Sequence, residues 1–272
     1  MRLIALAEAN GIEYVARIIT NGYLLTAQNT AMLARCRVND AQLTVDGVGP
    51  GNDATRRLAG GGGTYDRIMA NLTDHPIPFK VHIRQNIYEG NRDEMTALKE
   101  AIGAAAEKSG NALFWYPDLA VPSEAAEARG ENIAFLERHH VLDADLFKVT
   151  QYKANGFYCM AQRLCDAVID EQGRLYKCWE DVDNPAYSYG TLDRWDPADP
   201  VETADRMDML TRYLNTACPI PDDECNECIW LPLCKGGCPH LRLMGKRACL
   251  AFREHPDAFA AMLYRRQEKE KA

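Results

Sequence analysis

The cysteines of this chain are concentrated after residue 150, and their spacing is typical of metal ligands. Nine of the ten lie there. Eight of these nine make two sets of four: Cys159, Cys165, Cys178, Cys225, Cys228, Cys234, Cys238 and Cys249. Four thiolates in a tetrahedral arrangement satisfy either a zinc ion or the irons of a 4Fe–4S cluster. The spacing therefore predicts two metal sites.

The gaps between the cysteines favour iron–sulfur clusters over zinc. A zinc ribbon uses two Cys-x2-Cys pairs, whereas this chain has one, formed by Cys225 and Cys228, and longer gaps elsewhere. A zinc-stabilised domain stays open as an alternative. Disulfides are a third interpretation, and they would require an oxidising compartment. Cys36 and Cys218 are left over and are interpreted as free thiols that pack like small hydrophobic side chains.

A β-hairpin is predicted between Asp166 and Cys178, and it would position two of the cysteines. Apolar residues flank the turn Glu171-Gln172-Gly173 on both sides, and glycine supplies the positive φ that such a turn needs. We expect the hairpin to present Cys165 and Cys178 at one end.

The first half of the chain alternates strand and helix patterns. β-branched and apolar residues predict strands over 12–20, 41–46 and 79–87, and apolar residues at helical spacing predict helices over 27–36, 64–72 and 92–108. This βαβα order favours an α/β fold with a parallel sheet. The change in cysteine content divides the chain into domains 1–150 and 151–272.

Polar residues follow three predicted strands. They are Asn21, then Thr44 and Asp46, then Arg84 and Asn86. Ligands of parallel α/β folds bind at the carboxyl ends of the strands, so these residues are candidates for a binding pocket. Turn formation is the alternative explanation for Asn21 and Asp46, and surface hydration is the alternative for Arg84. The glycines at 60–63 lack the Lys-Ser/Thr of a phosphate-binding loop and predict a flexible loop.

Composition excludes several classes of partner. The 272 residues carry a net charge of -8 and no long run of Lys or Arg, which argues against nucleic acid or an anionic membrane as the partner. No apolar run is long enough to span a bilayer, and the first ten residues do not have the layout of a signal peptide. We therefore expect a cytoplasmic protein that acts on a small molecule or a peptide.

The cysteine pattern over residues 159–249 resembles the SPASM domain, the auxiliary-cluster module of radical S-adenosylmethionine peptide-modifying enzymes. Segments 18–26, 43–47 and 63–68 likewise resemble the later strands and loops of the incomplete (β/α)6 barrel of that family, which includes anaerobic sulfatase-maturating enzymes. The resemblance implies the C-terminal part of a radical S-adenosylmethionine barrel over 1–150 and a small SPASM domain with a β-hairpin over 151–272.

The resemblance also implies cofactors and their ligands. Two auxiliary 4Fe–4S clusters would each be bound by four cysteines. One cluster would bind the first cysteine set, which is Cys159, Cys165, Cys178 and Cys238. The other would bind the second cysteine set, which is Cys225, Cys228, Cys234 and Cys249. S-adenosylmethionine would lie at the carboxyl ends of the strands, where it would contact Asn21, Thr44, Asp46, Arg84 and Asn86.

One motif of the family is missing from this sequence. In the family, a Cys-x3-Cys-x2-Cys motif binds the third 4Fe–4S cluster, which cleaves S-adenosylmethionine. This motif does not occur here, and only Cys36 precedes residue 159. Residues 1–10 also look like the middle of a helix without a preceding cap. We interpret the chain as a member shortened at its N-terminus and expect it to be inactive alone.

The same resemblance implies the reaction. The family abstracts hydrogen from a side chain of a ribosomal peptide or protein, with electrons from a donor such as flavodoxin or ferredoxin. In sulfatase-maturating relatives, an aspartate that acts as a base during substrate oxidation follows directly after the cysteine that matches Cys178. This chain has Trp179 there. Glu180 and Asp181 follow and are the candidates for the base. The alternative is a non-catalytic module for electron transfer or peptide binding.

Overall fold

The chain divides into two compact units, Met1–Phe147 with Arg265–Ala272, and Lys148–Tyr264. The computed structural model describes residues 2–119, 159–163, 166–194, 223–234 and 236–246, and isolated positions within 204–215 and 249–268. Cys165 and Cys218 lie outside the described residues, as does the side chain of Cys234. None of the described helices is long and apolar enough to cross a membrane.

The first unit contains a four-stranded parallel sheet. Its strands are β1 (Ala16–Thr20), β2 (Val38–Thr44), β3 (Lys80–Ile87) and β4 (Leu113–Leu119), in the spatial order β1-β2-β3-β4. Each strand pairs in parallel with the next one in the sequence, as the register Leu43↔Ile83 and Ile83↔Trp115 shows. The predicted parallel α/β fold is confirmed. Closure into a barrel stays a prediction.

One helix precedes the sheet, and the others connect its strands. The helices are α1 (Arg2–Ala9), α2 (Ala27–Arg35), α3 (Pro50–Thr55), α4 (Tyr65–Thr73) and α5 (Met95–Ser109), the last preceded by a 3₁₀ turn, Glu89–Glu94. Thr26 caps α2 by accepting a hydrogen bond from the Asn29 backbone, and Pro50 occupies the first turn of α3, where a missing N–H is tolerated. The parallel connections require such crossovers between neighbouring strands.

The core of the first unit lies between the sheet and two helices. Alternate residues of β2 and β3, such as Leu43, Val81 and Ile83, are fully buried, because successive side chains of a strand point to opposite faces. Helices α4 and α5 contribute apolar residues at spacings of three and four: Ile68, Leu72, Met95, Leu98, Ile102 and Ala105. The other face of the sheet therefore remains for polar side chains.

The sequence misplaced two strands and missed two elements. Strand β2 runs over Val38–Thr44 rather than residues 41–46, because Val38 and Asp40 pair with β1 although Asp40 gives no strand signal. The first strand starts at Ala16 rather than residue 12, because its pairing with β2 begins at Ala16↔Val38 and Ile12 and Val15 are exposed. Strand β4 was not predicted, since Pro117 within the segment argues against a strand. The short helix α3 has too few residues to show an apolar period.

The second unit contains short elements. Strands β5 (Val168–Ile169) and β6 (Leu175–Tyr176) are antiparallel and confirm the predicted hairpin, with Gly173 at φ 78°. The helices whose bounds fall within the described residues are α6 (Asp223–Asn226), α7 (Leu231–Cys234) and α8 (Pro239–Leu243). 3₁₀ turns begin directly after Cys159 and Cys178, so short elements place both thiols.

Candidate functional site

Asp46 lies at the carboxyl end of β2, and its carboxylate is already occupied by protein groups. One oxygen accepts a hydrogen bond from the Asn86 backbone N–H at 3.1 Å. The other accepts hydrogen bonds from Arg56 Nε at 2.6 Å and from Thr55 Oγ1 at 3.3 Å. Because the Asp46 side chain is 5% exposed, these bonds hold a buried charge. Asp46 therefore fixes the ends of β2 and β3, whatever else it contacts.

Thr44, Arg84 and Asn86 lie together on the face of the sheet that the helices among the described residues leave uncovered. Thr44 and Arg84 are neighbours in the register of β2 and β3, and Arg84 Nε donates to Asn86 Oδ1 at 2.8 Å. All three are half-buried, whereas the alternating residues between them are buried. The structure thus brings together four of the five residues predicted at the strand ends, including Asp46.

Asn21, the fifth predicted residue, forms a local turn. Its side-chain oxygen accepts the Tyr23 backbone N–H at 3.1 Å, which is the turn geometry that short polar side chains favour. Asn21 is exposed after β1. Its contact with a ligand stays a prediction.

The sequence reasoning missed three residues on the uncovered face: Asp40, His82 and Phe114. His82 stacks on Phe114 with ring centroids 5.4 Å apart, and His82 Nε2 lies 3.3 Å from Asp40 Oδ2. Phe114 is 47% exposed. The alternation of β3 could have indicated His82, whereas Phe114 belongs to the unpredicted strand β4. The uncovered face combines polar and aromatic groups suited to an organic ligand.

The loop after Asp46 is shaped around a glutamate that the sequence did not single out. Glu94 accepts a hydrogen bond from the Val48 backbone N–H at 2.8 Å. A Cβ atom at Gly47 or Gly51 would collide with the Glu94 carboxylate. The two glycines therefore leave the space that the Glu94 carboxylate occupies next to the backbone.

The hairpin of the second unit leads directly to Cys178. Asp170 closes the turn, because its carboxylate accepts hydrogen bonds from the backbone N–H and the Nε of Arg174, at 2.8 and 2.6 Å, and from Tyr176 O–H at 3.2 Å. Desolvation is the largest single effect on Asp170 and raises its pKa, but the hydrogen bonds from Arg174 and Tyr176 and the charge of Arg174 together outweigh it, so the pKa of Asp170 is lowered. Lys177 is buried and donates to the carbonyl oxygens of Arg163 and Asp166. The segment before Cys178 is thus fixed on both sides.

The thiols of Cys159, Cys178 and Cys238 converge in the second unit. The pKa of Cys178 is raised to about 11, mainly by burial, and charges on Cys159 and Cys238 contribute to the increase. Cys178 and Cys159 pack in an apolar cluster with Ala161, Leu175, Tyr187, Tyr189, Met209, Tyr213 and Leu243. Seven cysteine side chains are described, and none of these forms a disulfide. The arrangement suits a soft metal group that binds deprotonated thiols.

Asp181 and Glu180, the predicted catalytic residues, have different surroundings. Glu180 is exposed, whereas Asp181 is buried and accepts a short hydrogen bond from the Tyr213 hydroxyl. The other Asp181 oxygen lies 3.0 Å from His240 Nδ1. Burial and the hydrogen bond between Tyr213 and Asp181 raise the pKa of Tyr213. The sequence missed Tyr213 and His240, although the position of His240 two residues after Cys238 was a signal.

One combination of these residues could also hold a single metal ion. Ligand atoms of Cys178, Asp181 and His240 all lie within 4.8 Å of one another. Zinc accepts sulfur, nitrogen and oxygen ligands of this kind. The zinc alternative therefore keeps a structural basis.

Two thiols of the second cysteine set each lie next to an arginine. Cys225 lies in α6, and the Cys228 backbone N–H donates to the Cys225 carbonyl at 3.2 Å, so one turn carries both thiols. Arg242 Nη1 lies 3.6 Å from Cys225 Sγ, and Arg253 Nη1 lies 3.3 Å from Cys249 Sγ. The pKa of Arg253 is raised by its hydrogen bond to Cys249, by the charge of that thiol and also by the charge of Cys228. The described thiols of the second cysteine set therefore share a cationic environment.

Solved structures with the same fold include two radical S-adenosylmethionine/SPASM peptide-modifying enzymes. One is anSMEcpe, an anaerobic sulfatase-maturating enzyme, solved with bound AdoMet. Its TM-score is 0.68 at 13% identity, over 98% of this chain and 74% of that one. Another anSMEcpe structure, with AdoMet and the Cp18Cys peptide, has a TM-score of 0.66 at 14% identity, over 97% and 79% of the two chains.

The second enzyme is SuiB of Streptococcus suis, solved bound to S-adenosylmethionine. Its TM-score is 0.54 at 13% identity, and the match covers 89% of this chain and 59% of SuiB. No protein-family model matches the sequence, and no protein of curated function matches it. At these identities the comparisons show a shared fold.

Proposed function

We propose that this chain carries barrel strands and the auxiliary clusters of a radical S-adenosylmethionine enzyme of the SPASM class, which modifies a side chain of a ribosomal peptide or protein by hydrogen abstraction once a three-cysteine cluster is supplied. The observation that carries this proposal is that Cys159 packs against the buried cluster that contains Cys178, with the Cys238 thiol close enough for its charge to act on Cys178. A shared fold with anSMEcpe and SuiB supports it, because those structures contain S-adenosylmethionine. The proposed setting is the cytoplasm, with flavodoxin or ferredoxin as electron donor.

The described cysteines fit two auxiliary 4Fe–4S clusters. Cys159, Cys178 and Cys238 would hold one cluster with Cys165, and Cys225, Cys228 and Cys249 would hold the other with Cys234. When bound, such clusters supply one-electron transfer. The protein supplies the thiols, and the apolar residues around Cys178 keep water away from them. Cys178 has to lose its proton to become a ligand, which the positive charge of the irons favours.

The first unit is proposed to bind S-adenosylmethionine at the carboxyl ends of β1, β2 and β3. Arg84 offers a cation and Thr44 a hydroxyl on the uncovered face of the sheet, and Asn21 and Asn86 offer amides. Asp46 would act by holding this edge in place through Arg56 and the Asn86 backbone. A charged, polar cofactor suits such a set of groups.

Glu180 is the stronger candidate for the base that takes a proton during substrate oxidation. Its side chain is exposed, so a substrate can approach it. Asp181 is buried, and its two oxygens already face the Tyr213 hydroxyl and His240 Nδ1. A base has to come within hydrogen-bonding distance of the proton that it removes. We propose that Asp181 instead supports the segment that carries Cys178.

Cleavage of S-adenosylmethionine is proposed to need a three-cysteine cluster that these 272 residues do not encode. An iron with an open coordination site is required, and a cluster ligated by four cysteines has none. Anaerobic incubation of the 272-residue chain with dithionite and S-adenosylmethionine should give no 5′-deoxyadenosine by chromatography. A form extended by a segment with the cysteine trio should give it. Turnover by the 272-residue chain would contradict this part of the proposal.

Iron analysis tests the clusters themselves. After anaerobic reconstitution the chain should bind about eight irons with matching sulfide, as expected for two 4Fe–4S clusters. Cys178→Ser and Cys228→Ser should each remove about half of the iron. Cys36→Ser is the matched control and should remove none, because Cys36 lies in the first unit at the end of α2.

A zinc-stabilised domain is the second candidate, favoured by the proximity of Cys178, Asp181 and His240. It predicts stoichiometric zinc without sulfide. In that case His240→Ala should release zinc as fully as Cys178→Ser. Under the cluster proposal, His240→Ala should leave the iron content unchanged.

A further inference from the structure

The two cysteine sets lie in electrostatically different surroundings within the second unit. Cys178, in the first cysteine set, is buried among apolar side chains, and its Sγ lies within 4.8 Å of a carboxylate oxygen of Asp181 and of a ring nitrogen of His240. Cys225 and Cys249, in the second cysteine set, each lie within hydrogen-bonding distance of an arginine, at 3.6 and 3.3 Å. The first set thus meets a carboxylate and the second meets two guanidinium groups.

Arginine is suited to this contact with sulfur. Its guanidinium stays charged at any working pH and has N–H groups that point outward in a plane. Arg242 Nη1 is oriented by the Gly236 carbonyl at 3.3 Å while it faces Cys225. Arg253 faces Cys249 through Nη1, and its Nη2 lies 3.7 Å from Glu224. Glu224 therefore offsets part of the positive charge of Arg253 without removing its hydrogen bond to the thiol.

Adding an electron to an iron–sulfur cluster makes it more negative, so nearby cations and N–H donors stabilise the reduced form more than the oxidised form. Hydrogen bonds to the sulfurs and local charge are among the factors that set the potential of such clusters. A carboxylate beside the ligands and an apolar surrounding act in the opposite direction, because both disfavour added negative charge.

We infer that Arg253 and Arg242 raise the reduction potential of the cluster held by the second cysteine set above that of the cluster held by the first. The inference rests on the proposed function, because it requires that both sets hold clusters. At equilibrium, a single electron given to the pair of clusters would reside on the second. Arg253 and Arg242 thus stabilise the added electron through their charge and their N–H groups, and neither is a ligand.

Redox titration of the reconstituted 272-residue chain tests this inference without any substrate. The reduced clusters are followed by electron paramagnetic resonance, and Cys178→Ser and Cys228→Ser assign each signal to one cysteine set. Arg253→Gln should lower the reduced-to-oxidised ratio of the second cluster at a fixed potential about tenfold, equal to ~59 mV for a one-electron couple. Glu224→Gln should shift that potential in the opposite direction, because it removes the opposing charge.

Arg212→Gln is the matched control, since Arg212 is exposed in the same unit and its replacement changes the net charge equally. It should change the ratio less than twofold. Arg242→Lys keeps the charge but loses the planar donor, and should give an intermediate shift. Iron and sulfide contents identify any variant that has lost a cluster.

The outcomes separate the inference from the proposed function. Full iron content with unchanged potentials in Arg253→Gln and Glu224→Gln, or a first cluster of higher potential than the second, would overturn the inference and leave the clusters in place. A wild-type chain without iron and sulfide would refute the proposed function and the inference with it. If Arg253→Gln fails to bind iron, Glu224→Gln and Arg242→Lys still decide the matter.

Discussion

Replacing Asp46 should destabilise the first unit before it affects any ligand. Asp46→Ala removes the carboxylate that accepts hydrogen bonds from Arg56 Nε and from the Asn86 backbone N–H, and the Asp46 side chain is only 5% exposed. Removal of one partner from a buried ion pair costs about 3–5 kcal/mol. The Arg56 side chain is 29% exposed, so water stabilises its stranded charge in part, and we expect the lower end, about 3 kcal/mol.

Calorimetry of the full chain measures this loss. For a unit of this size, 1 kcal/mol corresponds to a change in melting temperature of roughly 2–4 °C, so Asp46→Ala should lower the transition of the first unit by about 6–12 °C. Hydrogen exchange of peptides from β3 identifies which transition belongs to that unit. Asp93→Ala is the control, because Asp93 is exposed and its replacement should cost less than about 0.5 kcal/mol.

A double-mutant cycle with Arg56→Gln isolates the ion pair. Arg56→Gln alone should cost less than Asp46→Ala, since Gln can still donate a hydrogen bond and Asp46 keeps the Asn86 backbone donor. The two replacements together should cost less than their sum by about 1–2 kcal/mol. Additive costs would show that Asp46 and Arg56 do not act as a pair. An Asp46→Ala variant as stable as the control would refute the structural role altogether.

Three further outcomes follow from single contacts. Asp53 accepts the backbone N–H groups of Thr64 and Tyr65 at the start of α4, at 2.8 and 3.0 Å, so Asp53→Ala should cost about 1–2 kcal/mol in urea unfolding. Net of desolvation, these hydrogen bonds lower the pKa of Asp53, so its stabilisation should disappear as pH falls through the folded pKa, and Asp53→Asn should remove that pH dependence. In the iron-free chain, Cys178 should react with iodoacetamide about tenfold faster per pH unit between roughly pH 8 and pH 10, because its pKa is raised to about 11; a plateau near pH 9 in mass-spectrometric labelling would contradict this. Ile19 is 61% exposed on β1, which pairs only with β2 among the described strands, so Ile19→Lys should reduce self-association in light scattering, with Arg17→Lys as an unchanged control.

The sequence predicted the elements whose signals are local. Alternation of apolar residues marked β3, and Gly173 marked the hairpin turn, where its φ is 78°. Strand β4 escaped because Pro117 lies within it, yet the strand is held by its neighbours, including a hydrogen bond from Trp115 Nε1 to Gln85 Oε1 at 3.0 Å. Tertiary contacts of this kind override local propensity.

The site residues that were missed are brought in from distant parts of the chain. Tyr213 and His240 reach Asp181 over separations of 32 and 59 residues. Glu94 reaches the Val48 backbone over 46 residues. No periodic pattern encodes such contacts, and only the spacing of the cysteines, itself long-range, pointed to the second unit.

The strand-end residues divide into two kinds once their hydrogen bonds are known. Asp46 uses both carboxylate oxygens within the protein, and Asn21 uses its side-chain oxygen within a turn. Arg84 Nε instead donates to Asn86 Oδ1 at 2.8 Å, so this bond joins two of the predicted residues, and Thr44 lies next to Arg84 in the register of β2 and β3. Thr44 and Arg84 are both half-buried on the uncovered face, and we propose that S-adenosylmethionine contacts them there while Asp46 holds the edge of the sheet in place. It follows that Arg84→Gln should weaken ligand binding without lowering the melting temperature as Asp46→Ala does, and that the two effects can be separated in one pair of variants.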